Sequence, residues 1–127
     1  MYTFKKEERL CNKRLIDGLF HNGSFFLCYP FKVSWMPADA MQQYPVQVVF
    51  AVGKKRYKHA VDRNTVKRRM REAYRLNKQS LLYDALNNSE KKLLLFISYI
   101  GKEIAPYDFF EKKMAKLLTQ LAAEATK

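Results

Sequence analysis

The sequence predicts an α/β (α+β) two-layer sandwich: a small mixed sheet covered by helices, in a single domain spanning residues 1–127. Three observations carry that class. Val46–Val52 reads as a buried strand, a long helix-period segment follows, and Leu93–Tyr99 reads as a second apolar strand. A strand–helix–strand unit of this length makes the two strands parallel neighbours joined by a βαβ crossover. The chain is also 48% hydrophobic and 14% aromatic, which suits a real core despite a net charge of +12.

Taken in order, the elements read α-β-β-α-β-α. Leu15, Ile16, Leu19 and Phe20 recur among charges and give a short first helix from about Cys11 to Phe20. His21-Asn22-Gly23 ends it, with Gly23 suited to a left-handed backbone. In the aromatic stretch Phe25–Met36, Phe31, Val33 and Trp35 alternate with Lys32, Ser34 and Met36, the period of a strand with one apolar face. Pro30 marks a bulge or a strand start, and a short separate strand near Ser24–Phe26 fits before it. Pro37–Pro45 is a loop. On Val46–Val52, Val46, Val48, Phe50 and Val52 share one face, with Val49 and Ala51 on the other. The basic helix runs from about Ala60 to Asn77. Leu81–Glu90 is a join containing an Asn87-Asn88-Ser89 loop, and Leu93–Tyr99 is apolar enough to be buried on both faces. Gly101–Pro106 breaks the chain before a last helix, Tyr107–Ala125. The stripe of that helix is Tyr107, Phe110, Met114, Leu117, Leu118 and Leu121.

The charge is concentrated. Lys54–Lys78 holds eleven of the twenty-four Lys and Arg residues and two acids, a net +9. On a helix, Val66, Met70, Ala73 and Tyr74 form a core-facing stripe. Arg63, Lys67, Arg71 and Arg75 follow at i, i+4 on its flank, with Asn64, Arg68 and Lys78 beside them. Asp62, or Asn64 if the helix starts later, can cap the amino end. A solvated surface helix would interleave acids with its lysines to gain i, i+4 pairs. This ridge has almost none. With the lead-in Lys54-Lys55-Arg56 and Lys58, the pattern points to a nucleic-acid backbone, whose released counterions supply the binding free energy.

Other classes fit less well. No apolar run approaches the ~18 residues that span a bilayer, and no apolar segment follows the basic amino terminus as in a secretory signal. Cys11 and Cys28 form no CxxC, so they read as reduced thiols of a cytoplasmic protein with no membrane partner. The twelve acids are scattered without DxD, HxE or ExxH spacing, and four glycines cannot build a phosphate loop. Neither His21 nor His59 has a nucleophile or acid implied by spacing. The chain reads as a binder with no catalytic residue and no metal ligand set of its own.

Phe50-Ala51-Val52-Gly53-Lys54-Lys55, followed by Ala60-Val61, Arg63-Asn64, Lys67-Arg68 and Arg71-Glu72-Ala73-Tyr74-Arg75, resembles the protein subunit of bacterial ribonuclease P. The opening Phe4-x-Lys6-x-Glu8-Arg9-Leu10, the Phe20-x-x-Gly23 segment, the Leu93–Tyr99 strand and the closing helix are similar in order and spacing. Departures are Thr65 where the family has arginine, Gly53 in place of serine, a missing turn glycine in Arg56–His59, and Ile16 at an often aromatic position. The resemblance implies a left-handed βαβ crossover, an exception to the usual handedness. It also implies a subunit that binds a catalytic RNA and the single-stranded 5′ leader of precursor tRNA, while the RNA performs a Mg²⁺-dependent cleavage. It places Lys54, Lys55, Arg63, Asn64, Lys67, Arg68, Arg71 and Arg75 on the RNA, with Phe20, Phe31 and Lys32 as candidates for the leader. Two readings stand against it: a ribosomal or other structural RNA-binding protein, and a self-sufficient metal-dependent nuclease.

Overall fold

The computed structural model describes residues 8–38, 42 and 44–126. Its elements are α1 (Lys13–Asn22), β1 (Ser24–Cys28), β2 (Phe31–Pro37), β3 (Val46–Val52), α2 (Ala60–Lys78), a π-helical turn (Gln79–Tyr83), α3 (Asp84–Asn88), β4 (Leu93–Tyr99) and α4 (Tyr107–Ala125). The four strands form one sheet in the order β1-β2-β4-β3. β1 pairs antiparallel with β2 and β2 antiparallel with β4, whereas β3 and β4 are parallel and joined through α2 and α3. The predicted class and crossover are therefore present, with a fuller order, α-β-β-β-α-α-β-α. Phe4 and Lys6 of the opening segment, and residues 39–41 and 43 of the predicted loop before Pro45, lie outside the described residues.

The sheet's inner face carries the main core. Phe31 and Val33 of β2, Val46 and Val48 of β3, and Leu95 and Ile97 of β4 are buried against Met70 and Tyr74 of α2 and Phe110, Met114 and Leu118 of α4. Tyr99 and Phe110 stack with centroids 5.1 Å apart at 12°, and Phe31 meets both rings edge-on. A second, smaller cluster on the outer face joins Leu10, Leu19 and Leu94, with Ile16, Met36, Val49 and Phe96 packed on it. So α1 sits across the sheet from α2 and α4. It covers only part of that outer face, which leaves a cleft beside it.

Several local expectations change. Asn12 accepts hydrogen bonds from the amides of Arg14 (3.0 Å) and Leu15 (3.3 Å), so its cap starts α1 two residues later than expected. His21 and Asn22 extend the helix, and Gly23 is extended (φ −78°), not left-handed. Glycine is needed there for another reason: a Cβ would lie 2.6 Å from the Leu19 carbonyl oxygen and 3.1 Å from that of Trp35. Chain reversal at Tyr29-Pro30 splits the aromatic stretch into two full strands. Asn87 and Asn88 are helical rather than loop, and the turn comes at Ser89 and Glu90, where Glu90 takes φ 55°. Strands β3 and β4 and helix α4 have the predicted bounds.

The open edge of β3 is covered. Arg9 bridges to Val48 in parallel, and the Leu10 amide donates to the Val48 carbonyl at 2.8 Å. Glu8 is buried there, and its carboxylate accepts from the Lys78 ammonium, itself 2% exposed. The Lys78 ammonium also lies 5.2 Å from the centroid of the Tyr83 ring.

Candidate nucleic-acid interface

Helix α2 presents its charges as a consequence of phase. Val66, Met70, Ala73 and Tyr74 are fully buried, which fixes the helix rotation and turns Asn64, Arg68 and Arg71 into solvent. Arg63, Lys67 and Arg75 flank the buried stripe and are half-buried. Lys54 and Lys55 are exposed in the turn that follows β3. Eight predicted RNA-binding residues thus fall on one helix and its approach turn.

Their chemistry is not uniform. Neither Asp62 nor Asn64 caps α2: the N-cap is His59, with no side-chain hydrogen bond. Arg63 folds back instead, its guanidinium donating to the carbonyls of Tyr57 (2.8 Å) and Lys58 (2.9 Å), so it braces the entry turn. Arg75 pairs with Glu72 through two hydrogen bonds, one of them 3.1 Å. The hydrogen bond from Arg75 holds the Glu72 carboxyl below its ordinary range, and that to Glu72 pushes the guanidinium up. Thr65 bonds back to the Val61 carbonyl at 3.0 Å. Lys78 is a correction: it lies in the core with Glu8 and not on the ridge.

A second feature lies on the sheet's outer face, where β-strand alternation sends Lys32, Ser34, Phe96, Ser98 and Ala51 to one side. They line a cleft of about 360 Å³ together with Phe20 of α1 and Val52 and Gly53 at the end of β3. Phe20 is 59% exposed, its ring edge-on to Phe96 with centroids 4.9 Å apart. Ser34 and Ser98, with short side chains, leave the floor open. A Cβ at Gly53 would meet nothing within 4 Å, so the family's serine position is open space here. Phe20 and Lys32 are therefore brought together. Phe31 is not: it is fully buried beneath the sheet, and cannot reach a ligand in the cleft.

Two residues of these surfaces carry no local sequence signal. Phe96 sits inside an apolar run that looks like pure core. Arg9 lines a pocket of about 180 Å³ with Lys67 and Arg71, placed there by strand pairing that no local pattern reveals. Among the described residues, no three of His, Cys, Asp and Glu gather where they could hold a metal ion.

The family model of ribonuclease P matches residues 4–122. The chain belongs to the ribonuclease P protein family. It is 33% identical over 121 residues to the ribonuclease P protein component of Porphyromonas gingivalis, covering 95% of this chain and 88% of that one. Against the component from Chlorobaculum tepidum it is 45% identical over 93 residues, 67% of this chain and 60% of the relative. The fold is that of the RNase P protein from Thermotoga maritima (TM-score 0.70, 23% identity, 89% of this chain and 96% of that). It is likewise that of the Staphylococcus aureus protein (TM-score 0.70, 14% identity, 94% and 98%). The chain is a protein component of bacterial ribonuclease P, the endoribonuclease of tRNA 5′ processing in which the RNA part is catalytic. Its partner is the ribonuclease P RNA. Family membership sets aside both the ribosomal-protein reading and the self-sufficient nuclease.

Proposed function

We propose that residues 1–127 act as one domain that docks on the catalytic RNA through α2 and holds the 5′ leader of precursor tRNA in the outer-face cleft. Lys54, Lys55, Lys67, Arg68 and Arg71 meet phosphates, arginine adding planar paired hydrogen bonds, and Asn64 both donates and accepts at a backbone turn. Arg63 and Arg75 contribute charge while bracing the surface. In the cleft, Phe20 offers a ring to an unstacked base and Lys32 a cation to its phosphate, a pairing that suits single strands. One observation carries the reading. Gly53 lines the cleft, and the next two residues are Lys54 and Lys55, so one turn of chain joins the two surfaces.

Ribonuclease P holoenzymes use Mg²⁺. The chain's carboxylates are scattered along its sequence, so in this reading the RNA supplies the ligands for that ion and no protein side chain acts in catalysis. The chain works in the cytoplasm, where precursor tRNA is made.

Reconstitution with a ribonuclease P RNA tests the assignment. Protein should raise affinity for precursor over mature tRNA. Its own binding to the RNA should weaken on the order of a thousandfold between about 50 and 200 mM salt, as expected for roughly six phosphate contacts. A flat salt response would contradict the docking face.

A further inference from the structure

The outer face of the sheet does not stop at the cleft. Two cross-strand rows run over it. One is Phe25–Ser34–Phe96–Val49 and the other Leu27–Lys32–Ser98–Ala51. Phe25 and Leu27 belong to β1, the sheet edge, and alternate with Phe26, which packs into the main core. Phe25 is 70% exposed, more so than Phe20, and Leu27 is 62% exposed. A large ring left in water beside a cleft is a feature that packing does not explain.

Its neighbours indicate what it meets. The Lys32 ammonium sits 5.9 Å from the centroid of the Phe25 ring, and Lys32 also lines the cleft walled by Phe20. One cation is thus shared between two aromatic surfaces. Ser34 lies directly opposite Phe25, and Phe96 opposite Ser34 on the far side. Phe25 therefore stands two strand spacings from Phe96, roughly 10 Å along the row. Nothing bulky intervenes. Among the described residues no carboxylate lines the cleft, which favours an anionic strand over a protein segment that would need its basic groups answered.

Resting on the reading of the cleft as the leader site, we infer that Phe25 is a second base-stacking residue. A single-stranded RNA leader, after passing Phe20 and Phe96, crosses Ser34 and lays a further base on Phe25, with Lys32 on the phosphate between them. Every base has a π face, so the contact adds affinity without reading sequence.

The experiment uses holoenzyme reconstituted with ribonuclease P RNA and a series of precursor tRNAs whose leaders grow one nucleotide at a time. Phe25→Ala should leave the melting temperature unchanged, because the ring is exposed. It should weaken precursor binding roughly five- to a hundredfold for long leaders, and leave the shortest leaders and mature tRNA as they were. Phe25→Trp should retain the long-leader affinity, and Phe25→Leu should lose it, since a stack needs a ring. Phe20→Ala is the control for the underlying reading, because its effect begins at shorter leaders. If Phe20→Ala weakens binding and Phe25→Ala does so at no leader length, the second stack is overturned and the cleft reading survives. If neither does, the cleft reading itself fails. Equal losses for mature tRNA, or protein that self-associates through β1 and loses that with Phe25→Ala, would give Phe25 a different partner and overturn the inference.

Discussion

The cationic face of α2 and the aromatic cleft on the opposite side of the sheet are built in different ways. The first comes from one contiguous segment: once Val66, Met70, Ala73 and Tyr74 face the core, the remaining positions are placed by helical phase alone. The second is assembled from α1, β2, β3 and β4, and exists only because α1 crosses the outer face and stops short of its end. Their energetics differ too. A ridge of cations binds by many interchangeable, salt-screened contacts, whereas a stacking site depends on one or two rings that salt barely touches. Position in sequence is therefore a good guide to a surface held by one element and a poor guide to one shared among four.

The largest effect expected is at Phe31, which adjoins the cleft residue Lys32 in sequence but sits in the core. Phe31→Ala should cost about 3–5 kcal/mol of stability, read by denaturant unfolding, with all RNA affinities falling together. An unchanged unfolding midpoint would return Phe31 to the surface. Lys78→Met tests the same separation on the basic side. It leaves the Glu8 carboxylate buried without its ammonium and should cost about 3–5 kcal/mol. Adding Glu8→Leu should recover most of that stability, and the salt slope of RNA binding in the double variant should match wild type. A reduced slope would mean Lys78 is a phosphate contact after all.

On the exposed side of the same helix, Arg68→Ala should do the reverse. Folding stability should hold, while binding to the catalytic RNA loses about 1.5–3 kcal/mol, measured by filter binding. Normal binding, or outright unfolding, would mean the face assignment is wrong. The smallest of these effects belongs to the cleft. Phe20→Ala should weaken leader-bearing precursor by about 1–3 kcal/mol with little change for mature tRNA or melting temperature. Equal losses for both tRNAs with a lowered melting temperature would make Phe20 a packing residue.

Much of this protein is legible in its sequence. The bounds of β3, β4 and α4 follow from period and composition, and the rotation of α2 from its apolar stripe, because each depends on spacing within one element. Even the placement of Phe31 is partly within reach: it and Lys32 are neighbours on a strand and must point to opposite faces, so one cleft cannot hold both. Which of those faces is the core is not. That depends on α2 and α4 packing on one side and the shorter α1 on the other, and so does the turning of Phe96 toward Phe20 rather than into a dry interior. The burial of Lys78 is the same kind of fact, decided by Glu8 arriving at the β3 edge from the other end of the domain. By itself the sequence determined most of the elements, the net charge and the family. Tertiary structure decided which lysine is a surface charge and which phenylalanine a ligand surface. The physical reason is that local periodicity reports only the two sides of an element, while burial depends on which distant element comes to cover each side.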